Sequence, residues 1–229
     1  MTCEGPDLPH VNRKVAEEST WKNLLDEIES YWSTRTEGYS EVNHKELAGT
    51  QKNAWLKVLT SQFPDKPKEE IRILDIGTGP GFFPVILAEA GYHVDAVDYT
   101  EGMLEKAKEN AGDLCRNIRF LRMDAQKLDF EDNTFDVVIS RNLTWNLEHP
   151  DVAYREWVRV LKVGGRLLNF DANWYGYLYE EEQRKAYEND RKMWKTTAWM
   201  ITISVRILSA WSGSPSRYRC QRSVVPSGM

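Results

Sequence analysis

Cysteine is scarce in this chain: Cys3, Cys115 and Cys220 stand far apart among 229 residues and form no Cys-x-x-Cys pair. That spacing supplies neither a zinc site nor a disulfide framework, so no metal centre is expected. Long apolar runs are missing as well. No stretch reaches the roughly 18 uninterrupted apolar residues of a membrane span, and the polar, acid-bearing first residues lack the core of a signal peptide. The chain is therefore expected to avoid the membrane and to work in the cytoplasm. A basic excess is the third absence. The net charge of −5 and pI of about 5.5 argue against a nucleic-acid partner, whose phosphates call for a positive face. What is present, 41% hydrophobic residues, suffices for one sizeable core, and the length demands no second domain.

The chain is organised around Ile71 to Asp98. An apolar run short enough for a buried parallel strand leads through Gly77-Thr78-Gly79-Pro80-Gly81 into a helix-length apolar segment, then a second strand closed by an acid. This is a βαβ unit suited to a nucleoside. A dinucleotide fingerprint would require Gly-x-Gly-x-x-Gly/Ala, with a small third residue and room for a diphosphate. Here Phe82 takes the third place, and Asp75 stands two residues before the first glycine, where a carboxylate would repel a diphosphate. S-adenosylmethionine has no phosphate and carries a sulfonium cation, so an acidic, glycine-lined pocket suits it better.

Together these residues resemble motif I of the class I S-adenosylmethionine-dependent methyltransferases. The resemblance continues through Asp98 and Tyr99 after the second strand, where the family's acid bonds the ribose hydroxyls. It runs on through Met123-Asp124-Ala125 after a third strand, where the family's acid meets the adenine amino group. Asn133 to Ile139 resembles the approach to the fourth strand, and Val160 to Leu168 the turn into the fifth, so the likeness covers roughly Ile71 to Asp171. It implies an α/β, doubly wound Rossmann-like sheet, mostly parallel, with helices on both faces. It also implies S-adenosyl-L-methionine as cofactor and a small-molecule methyl acceptor. Asp75, Gly77, Thr78, Gly79, Gly81, Asp98, Tyr99, Asp124 and Ala125 are the residues it assigns to the cofactor. Asp124 can equally be a turn or capping residue, and Met103, just past Asp98, either stacks near the adenine or belongs to the core.

Before the sheet, Trp21, Leu24, Leu25, Ile28, Tyr31 and Trp32 share one face at helical spacing, predicting a helix over Glu17 to Trp32. The segment Trp32 to Ser40 is similar to the N-terminal helical lid of ubiquinone-biosynthesis-type methyltransferases. On that likeness Arg35 would clasp the cofactor's carboxylate and Tyr39 would cover its sulfonium, although both also suit a plain surface arginine and a packing tyrosine. A second helix is predicted over Lys45 to Phe63.

In open α/β sheets ligands lie beyond the carboxyl ends of the strands, which directs the loops after strands four and five to the transferred methyl group. Asn142 and Trp145 are candidates for shaping the acceptor pocket. His149 is a candidate general base, or else a turn residue before the helix-starting Pro150. Asp171 and Asn173 are candidates to orient an acceptor amine or hydroxyl, Asp171 with a catalytic role, while Trp174 would exclude water there or seat the following helix. Because the sulfonium is already activated, in-line alignment matters more than a dedicated base.

The composition splits the chain at about residue 195. Residues 1–195 read as one methyltransferase domain with its N-terminal helices; 196–229 hold four arginines, seven serines and no acid. Such a tail is either a closing antiparallel hairpin or the product of a shifted reading frame, and the abrupt loss of acids favours the second, leaving the closing strands doubtful. The alternatives to methyl transfer are a cofactor-binding protein without turnover and a nicotinamide-dependent oxidoreductase. The sequence leaves the acceptor and the oligomeric state open.

Overall fold

The sheet grows outward from β1 (Ile73–Ile76), all four residues of which are buried. A strand covered on both faces must be apolar nearly throughout, and Asp75 is its one polar residue. The computed structural model describes residues 24–172, 178–182, 184, 185 and 188, together with the backbone of 203–209 and 219–224. In it β1 lies parallel to both β2 (Val94–Asp98) and β4 (Phe135–Arg141). Outside these, β3 (Ile118–Arg122) pairs with β2, and β5 (Leu161–Ala172) with β4, again in parallel. The chain thus runs outward one way through β2 and β3 and the other way through β4 and β5, and the reversal opens a crevice above the carboxyl ends of β1, β2 and β4.

Alternation along the strands divides the core in two. Ile73, Val94, Val137, Ile139, Leu168 and Phe170 face the helices α3 (Gln51–Thr60) and α4 (Phe82–Glu89). Leu74, Ile76, Val97, Val138 and Leu167 face α6 (Pro150–Val160) through its Ala153, Trp157 and Val160. Trp157 is fully buried, and its indole N–H donates to the Ala125 carbonyl at 2.8 Å, which ties α6 to the loop after β3. At the opposite end of the sheet Asp136 accepts from Lys66 and Lys162 at 2.6 and 2.8 Å and from the Arg72 backbone N–H. Burial alone would raise its pKa, but the two ammonium groups more than offset that and hold it below the usual carboxylate range.

The N-terminal region is helical over 24–33, here α1, followed by α2 (Thr36–Ala48) and α3. The predicted helix over Lys45 to Phe63 is in fact divided at Gly49, whose backbone is extended at ψ 176°, and the lid-like segment Trp32 to Ser40 is mostly helix. Glycine tolerates the extended geometry and is a poor helix former, so the break falls there. Between Asp98 and β3 lies α5 (Glu101–Ala111), with Met103, Leu104 and Ala107 buried. Pairing of β5 with β4 begins as early as Leu161, ahead of a register irregularity between Phe135 and Val137.

Two strands of the tail also join the sheet. β6 (Ile203–Ser209) runs antiparallel to β5 over Arg166–Ala172, and β7 (Arg219–Val224) runs antiparallel to β6. The expectation of doubtful closing strands is thereby corrected at the level of the backbone. The free edge of β5 presents unpaired N–H and C=O groups, and an alternating β-branched segment such as Ile203, Val205 and Ile207 meets that need. The helix expected to follow Trp174 falls largely outside the described residues. Among the described residues no helix is long and apolar enough to cross a membrane.

Candidate functional site

A cleft enclosing about 880 Å³, its open mouth included, lies at the crevice above β1, β2 and β4. Its floor is the turn between β1 and α4. Gly77 and Gly81 have φ of 68° and 89°, a left-handed backbone that side chains rarely adopt. Space is also short: a Cβ on Gly77 would stand 2.8 Å from the Leu143 side chain, and one on Gly81 3.0 Å from Ala107. The turn is therefore pressed between α5 and the loop after β4, and one of its N–H groups, that of Gly79, is aimed at the cleft's acid.

That acid is Asp98. One carboxylate oxygen accepts from the Gly79 N–H at 2.8 Å and the other from the Thr100 N–H at 2.9 Å. Burial raises its pKa and these backbone donors pull it back. Beyond it Asp124 accepts from the Gln126 N–H at 2.8 Å, after the end of β3. Tyr99, Met103, Ala125, Gly77 and Gly79 complete the part of the lining that the sequence predicts, although Met103 is also 2% exposed core. Tyr39 reaches in from α2, its ring 3.7 Å from the position of a Cβ on Gly79 and edge-on to Trp32 at 5.4 Å.

Several predicted residues lie elsewhere. Asp75 sits beneath the turn at 2% exposure and does not line the cleft; burial pushes its pKa up to about 7, with the Asp98 charge adding to the rise and Arg141 opposing it. Thr78 is buried within the turn, and its N–H donates to the Val97 carbonyl, while Gly81 packs on α5. Arg35 is exposed, with its guanidinium 4.4 Å from the centre of the Tyr31 ring. The structure thus does not bring Arg35 to the cleft: it is the residue before α2, and its guanidinium stacks on Tyr31 instead.

On the acceptor side Asn142 lines the cleft, held at φ 56° by an N–H bond to the Phe170 carbonyl at 2.8 Å. Trp145 stands behind Trp32, edge-on at 6.2 Å. His149 precedes α6 without a side-chain cap; its Nε2 lies 3.7 Å from Glu148, and its backbone N–H donates to Gln126. Asp171 accepts from Thr144 and from Asn169, and Asn169 also donates to the Tyr154 hydroxyl. Neither His149 nor Asp171 lines the cleft. Asn173 and Trp174 lie outside the described residues.

Sequence reasoning missed three contributors to the lining. Leu24, Leu25 and Ile28 of α1 roof the cleft; their helical spacing was visible, but not the site they cover. Leu143 and Leu147 form an apolar wall, and Arg141 brings a cation. No signal in the sequence distinguishes these from ordinary strand-end residues.

Residues 74–169 match a methyltransferase domain family. The chain is 41% identical over 98 residues to the demethylmenaquinone methyltransferase of Clavibacter sepedonicus, a match covering 42% of this chain and 39% of that protein. It is 33% identical over 128 residues to the demethylmenaquinone methyltransferase of Renibacterium salmoninarum, covering 56% and 52%. The matches therefore span about half the length of these relatives or less. Among solved structures, one from Methanococcus maripaludis, assigned to the S-adenosyl-L-methionine-dependent methyltransferases, superposes with a TM-score of 0.60 at 19% identity. That superposition covers 80% of this chain and 95% of the other, and at such identity it speaks for the fold alone. The sheet order, the glycine turn and the match to a methyltransferase domain family coincide on residues 74–169.

Proposed function

We propose that the chain binds S-adenosylmethionine in this cleft and transfers its methyl group to a small-molecule acceptor. The observation that carries this reading is Asp98, a carboxylate at the end of β2 held by the N–H groups of Gly79 and Thr100 against the open cleft. Two backbone donors fix the carboxylate's orientation, so it is preorganised to accept from a vicinal diol.

When bound, S-adenosylmethionine supplies a methyl group already activated on a sulfonium. The protein's part is then to align, exclude water and stabilise positive charge. The Tyr39 and Trp32 rings can cover the sulfonium side, since aromatic faces attract cations, while α1 closes the roof. Asn142 projects where the acceptor must approach. With Leu143 and Leu147 beside it and Trp145 behind Trp32, that approach favours an apolar, ring-bearing acceptor over a strongly charged one. The demethylmenaquinone methyltransferases among the relatives make quinol-like compounds the first acceptors to assay.

Replacing Asp98 by alanine removes the charge-assisted bonds to the ribose and should weaken S-adenosylmethionine binding by about 1.5–3 kcal/mol, read by calorimetry. Unchanged binding would overturn the site assignment. Binding by the wild type without methyl release to any acceptor pool would favour the reading as a cofactor-binding protein without turnover.

A further inference from the structure

The cleft holds three acids, Asp98, Asp124 and Glu148, and among its described lining residues a single Lys or Arg, which is Arg141. This side chain closes β4 and is 22% exposed. Its Nη1 and Nη2 donate to the two carboxylate oxygens of Glu46 on α2, at 3.0 and 2.7 Å. Its guanidinium lies 5.1, 5.0 and 5.8 Å from the ring centres of Trp55, Phe82 and Phe83. A guanidinium carries five N–H donors, and Glu46 takes two of them. The rings fix the plane without using donors, so the remaining N–H groups are held in place for another acceptor.

The order of the strands says which acceptor that would be. Along the carboxyl edge of the sheet come Asp124 after β3, Asp98 at β2, the glycine turn at β1 and Arg141 at β4. Neighbouring strands are about 4.8 Å apart, so Arg141 stands roughly 10 Å from the ribose acid, on the side away from the adenine acid. A nucleoside seated on Asp124 and Asp98 would extend its 5′ substituent over the glycines toward Arg141. For S-adenosylmethionine that substituent ends in an amino acid, and its carboxylate needs a cation.

We propose that Arg141 is the receptor for the α-carboxylate of the cofactor's amino-acid tail, and that Glu46 is the positioning residue that holds the guanidinium there. The assignment rests on the methyltransferase reading and adds to it a residue that the sequence had not singled out, in place of the exposed Arg35. It also makes α2 part of the cofactor site, because the helix contributes the carboxylate that orients the receptor. A charged fork already paired on one edge can still bind a second carboxylate on its free edge, since each bond is charge-assisted.

Two nucleosides test this by calorimetry. S-adenosylhomocysteine keeps the carboxylate; 5′-methylthioadenosine keeps the nucleoside and sulfur but lacks the amino-acid tail. The wild type should bind the first more tightly. In Arg141→Gln the affinity for S-adenosylhomocysteine should fall about ten- to a hundredfold, the span of a charge-assisted contact, while that for 5′-methylthioadenosine stays within about twofold. Should that variant fail to fold, Arg141→Lys keeps the charge beside Glu46 but loses the planar fork, and should show a smaller loss, again for S-adenosylhomocysteine alone. Equal losses for both ligands would mean that Arg141 only ties α2 to the sheet; no loss, or a wild type that does not discriminate between the two, would overturn the assignment while leaving the methyltransferase reading intact. A wild type that binds neither would sink both.

Discussion

The two halves of the cleft are built differently. On the cofactor half, Asp98 and Asp124 are satisfied by N–H groups no more than about twenty residues away, in turns that follow directly from β1, β2 and β3. On the acceptor half, contacts cross between elements: Thr144 and Asn169 meet at Asp171, and Asn169 reaches Tyr154 on α6. There the buried Ser140 Oγ, Asn169 Oδ1 and Asp171 Oδ1 have no hydrogen-bond partner. A preorganised acid is suited to an invariant ligand. None of these three residues lines the cleft, so the group that would pair them is an ordered water, because an unpaired buried polar atom is costly.

The largest test of this contrast concerns Asp75, the buried acid beneath the cofactor half. Its folded-state carboxyl is raised from 3.8 to about 7, mainly by burial. Between those values the folded chain holds a proton that the unfolded chain has released. The associated stability is therefore full below pH 4 and is lost as pH rises through 7, on the order of 4 kcal/mol at most. Asp75→Asn should flatten the decline in unfolding free energy between pH 4 and pH 7 measured in urea. A slope equal to that of the wild type would place the titrating group elsewhere.

A smaller effect is expected from Asp171→Asn on the acceptor half. Asp171 holds the loop of Thr144 but does not line the cleft, so methyl transfer should drop about tenfold with S-adenosylhomocysteine affinity unchanged. Parallel loss of both would erase the distinction between the halves. The smallest effect concerns the tail. Its β6 and β7 pair only at the edge of the sheet, and edge elements open at little cost. Under limited trypsin digestion, cleavage at Arg206, Arg217, Arg219 and Arg222 should precede cleavage within 74–169, with mass spectrometry locating the cuts. A tail that resists as long as the core would sink the shifted-frame origin and make the hairpin part of one cooperative unit.

Local chemistry accounts for what could be read directly. The glycine spacing, the acids at strand ends and the apolar runs specify the βαβ unit, the parallel sheet and the cofactor, because each depends on residues close in the chain. The break of the second helix at Gly49 and the early start of β5 escaped such reading, since both depend on what the segment packs against. So did the tail: its composition suggested a foreign stretch, whereas its backbone pairs with β5. Arg141 is the plainest case. In the sequence it is one arginine after a buried strand; only the fold brings Glu46, 95 residues earlier, and the rings of Trp55, Phe82 and Phe83 around it. Residue type and spacing by themselves determined which nucleoside the chain is built to hold. Tertiary structure alone decided which cation faces it and which candidates stay outside the cleft, because those depend on contacts between elements that no local spacing records.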